Sequence, residues 1–306
     1  MKKIISRQRN VPCTFLLLMT VVFIFSGLLA GCINQIKVPK VSPYDTDNQL
    51  TGKFIWYDIF TDDIAGTAKF YSELFGWSFE SVPGSNRNLQ NILLDGIPIG
   101  SAVGIASGLK DEADAQWLSY MSTSDVDESV RLIETNHGTI HTAPKELPDR
   151  GRVAVVRDPQ GAIFALLASS AGDPPDGEMK TFSWVGSELW TSDTVSGLKF
   201  YSLVAGYEEV LVPLSCGYIY HFLNHDGQPR AGIVKIPWDD VKPNWVPYVS
   251  VKDAVAIVQK AVTLGATLIL EPDSAFPDNA VAILADPSGA VFGIQQRDLN
   301  PSPKGN

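Results

Sequence analysis

Cysteine and positive charge are both scarce in this chain. Only 3 of its 306 residues are cysteine, and 24 Lys and Arg residues stand against 34 Asp and Glu residues. So few cysteines exclude a fold built on disulfides. The body of the chain also lacks the Lys/Arg-rich run that binding to a nucleic-acid backbone requires. Hydrophobic residues make up 45% of the sequence, which is enough for about two globular domains at this length. We therefore expect a two-domain globular protein without a nucleic-acid partner.

The first 32 residues have the composition of a secretory signal. Basic residues open the chain, and residues 15–30 are almost entirely apolar, a run that is short for a bilayer span of about 20 residues. The run ends in Leu29-Ala30-Gly31-Cys32, which closely resembles the lipobox of bacterial lipoproteins. The resemblance implies cleavage of a signal peptide, residues 1–31, and lipidation of Cys32, which would anchor the protein in the lipid bilayer. The alternative is an uncleaved N-terminal anchor helix.

The residues that follow the lipobox carry two further expectations. Residues 32–52 are polar and contain prolines, which is typical of a flexible tether behind the lipidated cysteine. Ile33, and not an Asp, follows the cysteine. In lipoproteins sorted as in enteric bacteria this favours the outer membrane, so we expect anchoring at its periplasmic face if the host is Gram-negative. Cys216 is left without a disulfide partner, and we expect it to be buried and inert.

The body of the chain contains an internal repeat. Lys-Phe-Tyr-Ser occurs at residues 69–72 and again at residues 199–202, and an Asp-Pro-x-Gly turn at residues 158–161 recurs at residues 286–289. Such a repeat predicts two homologous halves. We assign residues 53–170 to a first domain and residues 181–297 to a second. Residues 171–180, which contain Pro and Gly, form the linker between them, and residues 298–306 form a tail.

Each half itself reads as two copies of a strand, a helix and three further strands. Residues 63–75 have apolar side chains at helical spacing and stop at Gly76. Short apolar or alternating runs follow, and Asp95-Gly96 between two of them is a strong signal for a tight hairpin. The sequence therefore predicts an α+β protein of four βαβββ modules.

These motifs resemble a known superfamily. The Asp-x-x-x-x-x-x-Phe-Tyr helices (residues 63–71 and 193–201), the Asp-Pro-x-Gly turns and the fourfold βαβββ count are similar to the vicinal oxygen chelate proteins. That superfamily includes glyoxalase I, bleomycin-resistance proteins and extradiol dioxygenases. The resemblance covers residues 53–297 and implies two tandem glyoxalase/bleomycin-resistance-like domains with curved mixed sheets.

The resemblance also says where a metal ion would bind. Metal-dependent relatives hold a divalent ion with His, Glu or Gln on the concave faces of the sheets. Matching the positions motif by motif gives side chains without metal-ligating chemistry, namely Trp56, Ser119, Ala165, Gly186, Pro247 and Gly293. We therefore expect no cofactor, and a divalent metal only if its ligation departs from the family pattern.

Strand alternation gives a candidate ligand site in the second half, because residues two apart share a face. The residues expected to line it are Gly186, Glu188, Trp190, Trp245, Gly293 and Gln295. The two glycines should leave volume that Trp56 and Ala165 take up in the first half. An inward carboxylate must be paired, hydrated or protonated, so Glu188 and its counterpart Asp58 are the candidate catalytic residues. A hydrogen bond that ties the first strand to its neighbour is the structural alternative for both.

Three functions remain open from the sequence. The first is a lipid-anchored envelope protein that binds a small apolar or aromatic molecule without a metal, as metal-free resistance proteins of the superfamily do. The second is an enzyme of the lyase, isomerase or dioxygenase kind. The third is a structural or partner-binding protein whose cavities are filled.

Overall fold

The computed structural model describes residues 38–41, 43, 45–46, 48–85, 88–105, 115–177, 179–213, 219–238, 241–272 and 280–297. The expected signal peptide, Cys32, Cys216 and the tail lie outside these residues. None of the described helices is long and apolar enough to cross a membrane.

Within the described residues, each half contains two helices and eight strands. The elements of the first half are β1 Phe54–Thr61, α1 Ile64–Phe75, β2 Ser78–Ser81, β3 Leu89–Leu94, β4 Ile97–Gly104, β5 Gln116–Ser122, α2 Val126–Thr135, β6 Thr139–Leu147, β7 Gly151–Arg157 and β8 Ile163–Ser169. Those of the second half are β9 Trp184–Thr191, α3 Thr194–Ala205, β10 Glu208–Pro213, β11 Ile219–His225, β12 Gln228–Lys235, β13 Asn244–Val251, α4 Ala254–Thr263, β14 Thr267–Leu270, β15 Val281–Ala285 and β16 Val291–Gln296.

The described strands of each half form one mixed sheet of eight strands. The order is β2-β3-β4-β1-β5-β8-β7-β6 in the first half and β10-β11-β12-β9-β13-β16-β15-β14 in the second. The first strand of each half lies near the centre, where β1 pairs in parallel with β4 and antiparallel with β5. The predicted fold is thus confirmed: four βαβββ modules build two tandem domains of the α+β class.

An aspartate directly precedes each of the four described helices. The side chains of Asp63, Asp125, Asp193 and Asp253 each accept a hydrogen bond from a backbone N–H of the first helical turn, which satisfies a donor that the helix leaves free. The helices α1 and α3 end at Gly76 and Gly206, whose φ angles of 73° and 63° are left-handed and favour glycine. The aspartate of the helix motif therefore fixes where each helix starts.

The two sheets pack through the faces that carry the helices. One hydrophobic core contains residues of both halves and of all four helices. Tyr57 of β1 stacks on Trp184 of β9 with ring centroids 4.2 Å apart, and the Ser187 hydroxyl donates to the Ser119 hydroxyl across the two sheets at 2.9 Å. The faces that carry no helix therefore point away from each other, on opposite sides of the molecule.

Candidate functional site

We call the sheet face without helices the outer face of each half. Separate small clusters of apolar side chains lie there, one in the first half and one in the second. The outer face of the first half includes Trp56, Asp58 and Tyr120, and that of the second half includes Glu188, Trp190 and Tyr248. These two faces are the candidate ligand sites.

Glu188 lies in the middle of the second outer face and is held by three donors. Its carboxylate accepts hydrogen bonds from Trp190 Nε1 at 2.8 Å, from the Tyr220 hydroxyl at 2.5 Å and from the Tyr248 hydroxyl at 2.6 Å. Burial raises the pKa of Glu188, although the bonds from the three donors oppose this shift. Gly232 makes the contact with Tyr220 sterically feasible, because a Cβ there would lie 1.9 Å from the Tyr220 hydroxyl.

Asp58 occupies the corresponding place in the first half. Its carboxylate accepts hydrogen bonds from Trp56 Nε1 at 2.7 Å and from the Tyr120 hydroxyl at 2.6 Å. The guanidinium of Arg150 lies 4.0 Å above the Trp56 ring, and the charges of Asp58 and Arg150 interact. The carboxylate of each outer face, Asp58 or Glu188, therefore has a Trp donor on its own strand and a Tyr donor on the neighbouring strand.

A segment from the expected tether covers the first outer face. Val41 is buried in the same cluster as Trp56, and Arg150 Nε donates to the backbone carbonyl of Pro39 at 2.8 Å. The first outer face is thus filled by its own chain. No such segment covers the second face among the described residues, where Tyr220 and Phe222 are half-buried and Trp238 is 37% exposed.

The expected position of Trp245 is wrong. Trp245 lies on the helix-bearing face, where its Nε1 donates to the Tyr201 hydroxyl at 2.8 Å and its ring packs on Phe54. The register of β13 instead turns Val246 and Tyr248 to the outer face. The same shift applies in β5, where Tyr120 faces outward and Trp117 faces the helices.

The two glycines expected to leave volume differ from each other. A Cβ on Gly293 would lie 2.4 Å from the Tyr248 ring, so this glycine makes room for the tyrosine and leaves no free pocket. Gly186 stands where Trp56 stands in the first half, and a Cβ there would meet only the Arg230 carbonyl, at 3.6 Å. Gln295 is half-buried, and its side-chain oxygen accepts from Arg297.

The residues of the outer faces do not fit a metal ion of the kind that the superfamily binds. Among the described residues no group of three or more His, Cys, Asp or Glu side chains comes together. Ser119 and Pro247 lie on strands whose outer-face positions are taken by Tyr120 and Tyr248. The two carboxylates present are both engaged by Trp and Tyr donors.

Sequence reasoning missed four residues of these faces: Tyr120, Tyr248, Tyr220 and Arg150. A signal for the first two was present, because each follows a tryptophan by three residues at the same place of the repeat. Tyr220 reaches Glu188 only through the β11–β12 pairing, and Arg150 reaches Asp58 from the β6–β7 turn. No local pattern predicts these two contacts.

Comparison with known proteins agrees with this fold. Residues 53–166 match the model of the Glyoxalase/Bleomycin resistance protein/Dioxygenase superfamily. The anthracycline biosynthesis protein DauV of Streptomyces sp. is 30% identical over an alignment of 278 positions, and the alignment covers 81% of this chain and 94% of DauV. The chain belongs to this superfamily. The putative glyoxylase CFP32 of Mycobacterium tuberculosis is 28% identical over 253 residues, covering 81% of this chain and 95% of that protein.

Solved structures of the superfamily share the fold at low identity. The Mn(II)-bound glyoxalase from Novosphingobium aromaticivorans has a TM-score of 0.55 at 15% identity and covers 80% of this chain and 82% of its own. Homoprotocatechuate 2,3-dioxygenase from Brevibacterium fuscum has a TM-score of 0.57 at 13% identity and covers 88% and 86%. Their folds therefore match this member of the superfamily across both halves.

Proposed function

We propose that this protein is a lipid-anchored envelope protein that binds a small apolar or aromatic molecule on the second outer face, without a metal ion. The observation that carries the proposal is the difference between the two outer faces. Val41, Trp56 and Arg150 fill the first, whereas half-buried aromatic rings and Gly186 line the second. Apolar concave surfaces with a few convergent polar groups are typical of small-molecule sites.

The aromatic rings of the second face suit a flat apolar ligand. Trp190 and Trp238 stack with centroids 5.8 Å apart and an interplanar angle of 17°, so Trp238 continues the apolar wall toward solvent. Tyr220 and Phe222 form a second aromatic pair, 4.7 Å apart. A bound aromatic molecule can bury its area against both pairs, while Glu188 and its donors supply the polar groups that orient it.

The anchor gives the site a position in the envelope. From the expected acylated Cys32 to Val38, six residues can span at most roughly 20 Å. Because the segment after Val38 lies on the first outer face, that face would be next to the membrane. The second outer face, on the opposite side, would then face away from the bilayer. Ile33 favours the periplasmic face of the outer membrane in a Gram-negative host.

Binding can be tested with a neutral aromatic dye on the full chain in detergent. We expect N-phenyl-1-naphthylamine to give saturable fluorescence with about one equivalent bound. Trp238→Ala should weaken the dye at least threefold, because it removes the exposed ring of the second face. Ile97→Ala is the matched control in the first half, since Ile97 is also 37% exposed. The absence of saturable binding, or equal weakening by both variants, would refute a site on the second face.

An isomerase or lyase is a second candidate function, favoured by Glu188. A buried carboxylate with a raised pKa can act as a general base. Hydroxyacetone in heavy water provides a test, because a general base exchanges its carbon-bound protons. The enzyme would be favoured if exchange is faster with the protein than in buffer alone and if Glu188→Gln removes this acceleration. Exchange equal to that of the buffer would leave the binding function.

A further inference from the structure

In the first half a cation, Arg150, lies beside Asp58, the carboxylate of the outer face. Arg150 is only 2% exposed, its guanidinium stacks on the Trp56 ring at 4.0 Å, and its charge interacts with the Asp58 carboxylate. A guanidinium over an aromatic ring is attracted by the ring quadrupole. The chain thus supplies its own cation to the carboxylate and the aromatic rings of the first outer face.

The second half has a carboxylate at the equivalent place, Glu188, and the described residues place no such cation beside it. Asp58 and Glu188 occupy equivalent places, since each faces the strand that pairs in parallel with its own, at Ser101 and at Gly232. Within the described part of the chain, Glu188 accepts only from Trp190, Tyr220 and Tyr248, and no basic side chain shifts its pKa.

The stretch of the second half that corresponds to the turn of Arg150 has no basic residue in its sequence. Arg150 comes from the turn before β7, and the corresponding stretch of the second half, residues 261–296, contains neither Lys nor Arg. Arg297, just after this stretch, acts electrostatically on the Tyr220 hydroxyl. Its guanidinium is bound to the Gln295 side chain. Residues 261–296 therefore supply no cation to the position next to Glu188.

We infer that the second outer face binds an organic cation, a guanidinium, amidinium or substituted ammonium carried on an apolar or aromatic body. The inference rests on the proposed function, because it names the ligand class of the same site. A buried carboxylate without a counter-ion is costly, and a bound cation would relieve that cost. Contacts between a cation and aromatic faces contribute further when water is excluded. The ligand would thus play the part that Arg150 plays in the first half.

Benzamidine and benzamide test the charge, because they share ring and shape and only benzamidine is cationic. We expect calorimetry on the full chain in detergent to give at least tenfold tighter binding of benzamidine. Glu188→Gln should remove this difference and leave benzamide unchanged. Asp58→Asn is the matched control and should change neither ligand, since Arg150 already occupies the first face. Circular dichroism would report whether each variant is folded.

A second variant keeps the test decisive if Glu188→Gln does not fold. Trp238→Ala retains the carboxylate and should weaken benzamidine at least threefold. Equal affinities of the wild-type protein for benzamidine and benzamide would overturn the cation inference and leave the proposed function intact. The same holds if neither binds while N-phenyl-1-naphthylamine does. Failure of all three probes would overturn both proposals.

Discussion

Two tyrosines of the repeated helix motif hold the halves together, and their removal gives a quantitative prediction. Tyr201 of α3 donates to Asp158 Oδ2 in the first half at 3.1 Å and accepts from Trp245 Nε1 at 2.8 Å. In the reciprocal place Tyr71 of α1 accepts from Trp117 Nε1 at 3.0 Å, and the Asp286 carboxylate lies beside it. Each aspartate belongs to an Asp-Pro-x-Gly turn, so both repeated motifs meet across the interface.

The change Tyr201→Phe keeps the ring and removes only the hydroxyl. Tyr201 is completely buried, so the variant leaves Trp245 Nε1 and one oxygen of Asp158 without this partner. A buried polar group that loses its hydrogen bond costs about 1–3 kcal/mol. We expect the free energy of unfolding to fall by roughly 2–6 kcal/mol for the two groups together. At about 2–4 °C per kcal/mol for a protein of this size, the melting temperature should fall by about 4–24 °C.

The loss should also depend on pH. Burial raises the pKa of Asp158 above its usual value, and the Tyr201 hydroxyl opposes that shift. An acid with a raised pKa in the folded state loses stability as the pH rises from its unfolded pKa through its folded pKa. Without the hydroxyl the pKa rises further, so the penalty of Tyr201→Phe should be larger at pH 8 than at pH 5.

Urea unfolding and calorimetry at both pH values would measure this effect. Val195→Ser on the same helix is the control, because Val195 is 76% exposed and surface changes usually stay within about 0.5 kcal/mol. The reasoning is refuted if Tyr201→Phe costs no more than the control. A large loss without pH dependence would instead assign the effect to the unpaired Trp245 Nε1 and not to Asp158.

Four further outcomes are expected. Benzamidine affinity should rise with pH above about 4.5, because burial raises the pKa of Glu188 and the ligand stays charged; a flat profile would contradict this. Gly293→Leu should weaken benzamidine binding more than Ala165→Leu does, because it displaces the Tyr248 ring. Either change can lower the free energy of unfolding by about 1–3 kcal/mol through overpacking. Equal benzamidine affinity of the two variants would show that Tyr248 is dispensable for binding. Cys32→Ala should abolish acylation, and acyl-modified variant protein in mass spectrometry would disprove the lipobox assignment. Elemental analysis of the purified protein should find less than stoichiometric divalent metal, and about one equivalent of tightly held iron, manganese, nickel or zinc would favour the enzyme.

The element order could be predicted from the sequence because its signals are local. An aspartate at each helix start, a glycine after α1 and α3, and the Asp-Gly hairpins each fix a boundary with their own backbone chemistry. The repeat supported each assignment a second time, because each motif occurs again in the second half at nearly the same spacing.

The lining of the site was harder to predict because the central strands are buried on both faces. In β13 every residue after Asn244 is buried, so apolar side chains occur at consecutive positions and alternation does not mark the outer face. The predicted register of β13 was off by one residue, so Trp245 was expected on the outer face where Val246 and Tyr248 lie. The error at Gly293 has a related cause, because only the pairing of β13 with β16 brings Tyr248 over that glycine.

The position of one tryptophan explains why two similar halves differ. In the first half Trp56 precedes Asp58, and its ring supports Arg150 and borders Val41 in a closed cluster. In the second half the tryptophan follows the acid, as Trp190, and Gly186 stands at the earlier position with a φ of 143°. That φ favours glycine, so a large side chain there would be strained. The second half therefore keeps the carboxylate and its donors, and its backbone disfavours the ring on which an internal cation would rest.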